Sequence, residues 1–320
     1  MITSLFASLG GRKMPRASVG LPVFNGERFL VPALEAILAQ TLADIEVIVS
    51  DNGSTDGTPE IIRAFSARDS RVRSVRHPQN RGAAWNYNFV FGEARSAYFK
   101  WLAHDDICAP DFLERCIAAL EERGPEAALA FTGTRFIDAA GLVIRDYDAP
   151  IAWRGTSPAV RLADLLGDDW HSHLHRCTPV TGVVRSEALR KTRLIGNYGG
   201  ADKVLLVELA LLGDFVRVPD YLFMRRLHED NSAGPNKTVQ AIARWFDPRK
   251  GERFPMPRST IFLNQCIAVT QAPIPLRQKL PCLPVLARRG WREGRVMAGE
   301  VRIALRERLR SPLRESQAGR

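Results

Sequence analysis

Two neighbouring carboxylates, Asp105 and Asp106, follow a short aromatic segment that begins at Tyr98. Exposed carboxylates side by side repel each other unless a cation lies between them and a bound substrate. Mg²⁺ and Mn²⁺ prefer oxygen ligands, and the phosphate oxygens of a substrate often complete their coordination. The pair therefore predicts a divalent cation that holds a phosphorylated ligand. Two acids before Pro110 would also suit the start of a structural helix, so this alternative stays open.

The elements that must position this pair alternate between strand and helix over the first 130 residues. Apolar runs predict short strands at 17–21, 45–49, 72–76 and 98–102. Helical periodicity predicts helices at 28–40, 83–94 and 110–123, and a further helix capped by Thr58 with Pro59 at its first position. This alternation is typical of an α/β fold with a mainly parallel central sheet and helices on both faces.

Ligands of such sheets bind at the carboxyl ends of the strands. Three polar clusters of this sequence lie at those ends, at 23–25, 51–57 and 104–106. The second half of the chain is less regular. It predicts a hairpin over 131–145 turning at 139–141, a buried helix at 201–212, and short strands at 215–218 and 221–224.

Composition and charge limit the class of protein. The 320 residues are 45% hydrophobic and 25% charged, which is ordinary for a globular protein. No stretch approaches the roughly 20 uninterrupted apolar residues of a membrane-spanning helix. The five scattered cysteines favour a reducing, cytoplasmic compartment over a disulfide framework. We expect a cytoplasmic protein, or a peripheral one on the inner face of the membrane.

Positive charge is concentrated at the C-terminal end. Residues 241–320 contain 17 Lys and Arg against 6 Asp and Glu, whereas the preceding part is nearly balanced. Such a tail suits an anionic membrane surface or nucleic acid. Within it, residues 291–310 predict a basic helix whose apolar stripe either contacts a membrane or packs on the core or on a second subunit. The stripe consists of Trp291, Met297, Val301, Leu305 and Leu309.

Five motifs in register carry a family resemblance from about Ser18 to Ser232. They are Val19-Gly-Leu-Pro-Val-Phe-Asn25, Ser50-Asp-Asn-Gly-Ser-Thr-Asp-Gly57, Asn80-Arg-Gly82 followed by Asn86, Trp101 to Asp106, and Met224-Arg-Arg-Leu-His228. In this order they resemble the inverting family 2 glycosyltransferases, whose nucleotide-binding fold is called GT-A. The resemblance implies a metal-dependent transfer of a sugar from a UDP-, GDP- or dTDP-sugar to a hydroxyl on a glycan, a lipid-linked sugar or a protein.

The resemblance also implies roles for individual residues. It implies Mn²⁺ or Mg²⁺ held by Asp105 and His228, and donor binding by the motif residues. In Gly199-Gly-Ala-Asp202, it implies that Asp202 is the catalytic base, although an N-cap of the following helix is an alternative. Trp170 and Gly182 are candidates for the acceptor pocket. The donor-binding residues implied are Pro22, Phe24, Asn25, Glu27, Asp51, Arg81, His104, Asp105 and Asp106.

One position departs from the family pattern. The metal motif usually reads Asp-x-Asp-Asp, and Ala103 replaces its first Asp. That carboxylate usually reaches the ribose, so His104 or a water molecule would have to substitute. By position, Asp105 inherits metal ligation.

Two other classes of protein remain as alternatives at this point. A nucleotidyltransferase of related α/β fold should carry a glycine-rich phosphate loop after its first strand, where this chain has residues 23–27 without such a run. A non-catalytic protein that binds nucleic acid through its basic tail would need no nucleotide-sugar pocket, and nucleic acid is not the expected partner. We expect an extension at 1–16, a catalytic domain at 17–240 with nucleotide-sugar and acceptor halves at 17–130 and 131–240, and a basic, partly helical extension at 241–320.

Overall fold

A computed structural model of the chain describes residues 14–148, 157–167, 178–231, 237–249 and 256–318, with side chains as far as Glu307. Trp170 lies outside these residues. Within them, nine strands form one sheet. The strands are β1 (Ala17–Val23), β2 (Ile45–Asp51), β3 (Val72–Arg76), β4 (Tyr98–Trp101), β5 (Ile107–Cys108), β6 (Ala127–Ile137), β7 (Val143–Tyr147), β8 (Val183–Arg185) and β9 (Asp214–Arg226).

Helices cover the sheet on both faces. They are α1 (Glu27–Leu38), α2 (Thr58–Arg68), α3 (Ala83–Gly92), α4 (Phe112–Arg123), α5 (Pro158–Leu165), α6 (Ser186–Arg190), α7 (Ala201–Leu212), α8 (Val239–Phe246), α9 (Pro257–Gln271), α10 (Leu276–Lys279) and α11 (Cys282–Ala318), with a 3₁₀ helix at Thr178–Thr181. One buried cluster joins the sheet to α1, α2 and α4, and a second joins its other face to α3, α5, α7 and α9. The predicted α/β architecture is confirmed.

The strand order β3-β2-β1-β4-β8-β6-β9-β5 puts the first four strands side by side and parallel. β8 then runs antiparallel to both β4 and β6, while β9 returns parallel to β6. All seven residues of β1 are buried, because it is central and covered on both faces. Gly20 lets α3 approach, since a Cβ there would lie 2.6 Å from Val90 Cγ2.

Several local predictions differ from the structure. β1 extends beyond the predicted 17–21 to Val23, and Pro22 lies inside it, opposite Ser50 of β2. Gly57, not Thr58, is the N-cap of α2. The two short strands expected at 215–218 and 221–224 are one strand, β9, because the long strand β6 pairs with it across an irregularity near Thr132. The predicted hairpin is confirmed, with β7 antiparallel to β6.

The C-terminal helices pack on the rest of the fold. Ile261 and Val269 of α9, and Cys282 and Leu286 of α11, are buried in the same cluster as α5 and α7. The boundary predicted at residue 240 falls inside α8. The division of the chain into domains stays a prediction, whereas the helical character of this extension is confirmed. None of the helices that the structure describes is both long and apolar enough to span a bilayer.

A buried arginine fixes the end of α7. Arg161 of α5 is 8% exposed, and its Nε donates to Ala210 O at 2.6 Å. Its Nη1 also lies 3.3 Å from Asp214 Oδ1. Arg123 pairs with the other oxygen of Asp214 at 2.5 Å, but its side chain is 44% exposed. The two arginines therefore offer a matched comparison of one acid's buried and exposed partners.

We expect Arg161→Met to lower the free energy of unfolding by about 3 kcal/mol, because buried α7 carbonyl groups and Asp214 lose their partner. Arg123→Met should lower it by no more than about 1 kcal/mol, as for an exposed ion pair. Urea denaturation followed by circular dichroism measures both. Equal losses in the two variants would contradict the assignment of Arg161 as the buried support of α7.

Candidate active site

The loops after β1 and β2 are locked together by side chains. Asn25 has a positive φ of 52°, a conformation that Asn tolerates better than most residues. Its backbone N–H donates to Ser54 Oγ at 2.9 Å, and its Oδ1 accepts the N–H of Thr55 at 2.9 Å. Gly26 N–H donates to Thr58 Oγ1 at 2.8 Å. These bonds give the predicted nucleotide-facing turn one defined shape.

Glu27 joins the first turns of two helices. Its Oε2 accepts the N–H of Gly57, the N-cap of α2, at 2.9 Å, and its own N–H donates to Asp56 Oδ2 at 3.0 Å. A carboxylate at this place is favoured by the positive end of the helix dipole. The structure therefore places Glu27 at the junction of α1 and α2, next to exposed Phe24.

Asp51 at the end of β2 is 2% exposed. Its Oδ1 accepts the N–H of Ser54 at 2.8 Å, which fixes the carboxylate plane. Its buried Oδ2 has no hydrogen-bond partner among the described residues, and Arg76 Nε lies 3.4 Å from it. A buried carboxylate oxygen without a hydrogen bond is uncommon, and it is available to a donor group of a ligand.

The segment after β3 is held against the same edge of the sheet. Asn52 Nδ2 donates to Asn80 Oδ1 at 2.9 Å, and Asn52 Oδ1 accepts the N–H of Arg81 at 3.0 Å. The Arg81 guanidinium lies 3.9 Å from the centre of the Trp85 ring, a cation–π contact. From α3, Asn86 Nδ2 donates to Ser50 O at 3.0 Å. The motif formed by Asn80-Arg-Gly82 and Asn86 therefore lies beside the end of β2.

The carboxylate motif after β4 meets the end of β9. Asp105 Oδ2 lies 2.9 Å from His228 Nε2 and 3.2 Å from Asn231 Nδ2. Asp106 Oδ1 accepts the N–H of Arg226 at 3.0 Å. The two acids therefore have different partners. Asp106 binds the backbone of β9, and Asp105 contacts His228, the residue with which the sequence analysis paired it.

The β1 loop and helix α1 border this pair. Phe29 of α1 packs against the His228 ring with 4.6 Å between ring centres. A Cβ on Gly26 would lie 2.7 Å from His104 Cδ2, so His104 covers the glycine closely. The residues predicted from three different strand ends are therefore brought to one edge of the sheet.

The electrostatics of the two acids differ. Burial would raise the pKa of the Asp105 carboxyl, but the hydrogen bond with His228 and the nearby His104 together lower it below its usual range. Burial, followed by the charge of Asp105, raises the pKa of Asp106. Asp105 is therefore the carboxylate that the site keeps charged.

Asp202 opens α7, as predicted. The N-cap of this helix is Gly200, in a left-handed conformation with φ of 81°, so Asp202 lies in the first turn and is not the cap. Burial raises the pKa of the Tyr87 hydroxyl, and the charges of Asp105, Asp106 and Asp202 raise it further.

The acceptor candidates are less defined. Gly182 precedes β8, and a Cβ there would lie only 2.2 Å from Ala130 O. Close packing of two backbones therefore accounts for this glycine. Buried Lys100 donates to the neighbouring Thr181 O. The acceptor role of Gly182 stays a prediction, and Trp170 is outside the described part of the chain.

The Asp105–His228 pair fits a divalent cation. Neighbouring ligands of one ion with bonds of about 2.1 Å are about 3 Å apart, and the two side-chain atoms are 2.9 Å apart. The described residues contain no group of three or more His, Cys, Asp or Glu that could hold a metal. Such an ion would need oxygen atoms from a substrate. His228 Nδ1 is buried without a hydrogen bond, so packing on Phe29 sets the ring's orientation.

One residue at the site was missed from the sequence. Asn231 contacts Asp105, and its Oδ1 accepts the N–H of His228 at 2.7 Å. The sequence offered only one signal for it, a polar residue shortly after the predicted histidine.

Known proteins of similar sequence and of similar fold were found for this chain. Chondroitin synthase from Escherichia coli is 28% identical over 232 residues, which is 72% of this chain and 31% of that protein. An uncharacterized glycosyltransferase from Haemophilus influenzae is 24% identical over 242 residues, 72% of each chain. The aligned segments span only 21% to 37% of the first three curated relatives.

A solved structure shares the fold. The crystal structure of S. aureus TarS 1–349 superposes with a TM-score of 0.60 at 15% identity, over 88% of this chain and 73% of that one. A similar structure of TarS is a complex with UDP-GlcNAc. The family model for "Glycosyl transferase family 2" matches residues 18–177, which is half of the chain. The protein therefore belongs to glycosyl transferase family 2.

Proposed function

We propose that the protein is a metal-dependent, inverting glycosyltransferase that moves a sugar from a nucleoside-diphosphate sugar to a hydroxyl acceptor. The observation that carries the proposal is the 2.9 Å contact of Asp105 Oδ2 and His228 Nε2 at the carboxyl edge of the sheet. Membership in the family supports it and disfavours the nucleotidyltransferase and nucleic-acid alternatives. The similarity to chondroitin synthase and TarS does not identify a substrate of this chain beyond that class.

The base of the donor is proposed to bind beside Asp51. Its buried Oδ2 can accept a hydrogen bond from a ligand, and the ring N–H of uracil, thymine or guanine is a suitable donor. Arg81, Phe24 and Asn25 border the same loops and are proposed to contact the donor. Pro22, in β1, and Glu27, which accepts the N–H of Gly57, are proposed to hold these donor-binding loops in place.

The cation is proposed to bind Asp105 and His228. When bound, it would neutralise charge that builds on the departing diphosphate. Asn231 holds the Asp105 carboxylate through a 3.2 Å hydrogen bond and so orients it. Asp106 keeps the loop against β9. His104 covers Gly26 and is proposed to take over the ribose contact that Ala103 cannot make.

Asp202 is proposed to be the catalytic base. It would take the proton of the acceptor hydroxyl as that oxygen attacks the anomeric carbon, while the bond from carbon to the diphosphate oxygen breaks. One base and one displacement give inversion at that carbon. Asp202 Oδ1 accepts only the adjacent N–H of Lys203 among its described hydrogen bonds, at 2.9 Å, so the other oxygen can meet an acceptor. Glycan, lipid-linked and protein acceptors all stay predictions, as do a homodimer and the cytoplasmic location.

The donor class is tested by thermal shift with UDP-, GDP- and dTDP-sugars. We expect one of them to raise the melting temperature of the native chain, because only a ligand of the folded state stabilises it. Asp51→Ala should weaken that nucleotide's binding by roughly tenfold, the value of about one hydrogen bond to a charged group. Glu122→Ala, at an exposed position of α4, is the control. Unchanged binding by the Asp51 variant would contradict the base contact.

The cation is tested with nucleoside diphosphate in the presence and absence of Mn²⁺. We expect Mn²⁺ to strengthen binding to the native chain, and chelator to remove both this effect and sugar transfer. Asp105→Asn and His228→Gln should remove the Mn²⁺ effect, since each loses a ligand. Glu229→Gln changes an exposed neighbouring acid and should keep it. Full transfer in chelator would refute the metal requirement.

The base is tested by Asp202→Asn, which keeps the size of the side chain but removes its basicity. We expect turnover to fall by about 10²–10⁴-fold while donor binding changes little. NMR of the product should show the anomeric configuration opposite to that of the donor. A loss of donor binding equal to the loss of turnover would make Asp202 a structural residue.

A further inference from the structure

The face of α11 that packs on the protein is apolar at its start, where Cys282 and Leu286 are buried, and polar from Arg289 onward. Arg289 is 1% exposed, Glu293 7% and Glu300 9%. The Glu300 carboxylate accepts the N–H groups of Arg258 and Ser259 at 3.0 and 2.9 Å, so it caps the first turn of α9. Arg289 and Glu293 lie 3.4 Å apart on this face. Glu300 therefore joins the polar part of this face to α9.

Its outward face carries large apolar side chains. Trp291 is 89% exposed, and Leu283, Val301 and Leu305 are 47%, 43% and 55% exposed. At 3.6 residues per turn these four positions fall on one side of the helix, away from Arg289 and the glutamates. The preceding helix α10 adds two more exposed leucines, Leu276 at 68% and Leu280 at 54%. This arrangement is the reverse of the usual amphipathic helix, which buries its apolar stripe.

The sequence left open whether the apolar stripe contacts a membrane or packs on the core or on a second subunit. Trp291, Val301 and Leu305 are exposed, so the prediction that they pack on the core is wrong. Met297, expected in the stripe, is half-buried toward the fold. The side chain of Leu309 lies outside the described part of the helix.

A row of arginines runs beside the apolar row. Arg288, Arg295 and Arg302 recur every seven residues, or about two turns, and Arg306 follows one turn later. All four are exposed. The acids between Cys282 and Arg306 are Glu293 and Glu300, and both are buried. The exposed side of this segment is therefore apolar and positive, with its negative charge turned inward.

We propose that the outward face of α11 docks flat on an anionic lipid bilayer. Apolar side chains beside a basic row suit the boundary between head groups and acyl chains, where Trp is favoured. Anionic lipid complements the arginines. Nucleic acid would complement the charge but not the exposed indole and leucines. A second copy of the chain would bring the same positive charge. The proposal concerns the surface, and it does not depend on which sugar is transferred.

The test is co-sedimentation of the full chain with vesicles of phosphatidylcholine alone or with a quarter of phosphatidylglycerol. We expect binding only to the anionic vesicles, and weaker binding at 0.5 M salt. Arg295→Gln with Arg302→Gln should reduce partitioning about 25-fold, or about fivefold per arginine. Trp291→Ser should reduce it at least about tenfold. Trp291 is the most exposed large apolar residue of the helix, so its loss leaves folding intact.

Matched variants elsewhere on the surface complete the test. Arg63→Gln with Arg68→Gln removes two exposed charges from α2, and Leu142→Ser changes a residue that is 68% exposed in the β6–β7 turn. Both should bind vesicles like the native chain.

Equal losses in these controls, equal binding to neutral vesicles, or no binding would overturn the proposal. So would a dimer in sedimentation velocity that Trp291→Ser dissociates without any vesicle binding. Binding of a DNA or RNA oligonucleotide that needs Arg295 and Arg302 but not Trp291, with no vesicle binding, would overturn it in favour of nucleic acid.

Discussion

The contact between Asp105 and His228 joins positions 123 residues apart and makes one site out of two halves of the chain. Asp105 follows β4 in the parallel half of the sheet, whereas His228 follows β9 in the mixed half. β9 reaches that edge because it runs parallel to β6 as far as Arg226. Asp106 then ties the two ends through the N–H of Arg226. The sheet order, with antiparallel β8 between β4 and β6, therefore lets the segments after β4 and β9 meet.

The surroundings of the pair explain its charge. Phe29 and the β1 loop exclude water from one side, and a less polar environment strengthens the attraction between a carboxylate and its partners. The same burial raises the pKa of Asp106, which is why only one of the two acids is kept charged by neighbours. Family 2 membership and this asymmetry are compatible, because one carboxylate and one imidazole would leave positions on a cation for a diphosphate.

The strand–helix alternation of the first half was predictable from periodicity, since β1, β2, α1, α2 and α4 each bury a set of apolar residues. The clusters at Asn25, Asp51 and Asp105 were predictable because parallel strands end at one edge. The single strand β9 was not, because its continuity depends on pairing with β6 across an irregularity. Asn231 was hidden for a similar reason: its contacts exist only once the turn after His228 has formed. For α11, periodicity gave two faces but not which of them lies inward, because the inward face combines buried Cys282 and Leu286 with Glu300, which caps α9.

Ala103, the departure from the family pattern, is consistent with the way its loop is held. Its carbonyl oxygen accepts the N–H of Asp106 at 3.2 Å, and Asp106 accepts the N–H of Arg226. The turn therefore needs no side chain at position 103. A carboxylate there would add a third negative charge beside two acids that already repel each other. Without it, the contact with His228 leaves Asp105 as the charged group, and the diphosphate of a donor would bring the remaining negative charge to the cation.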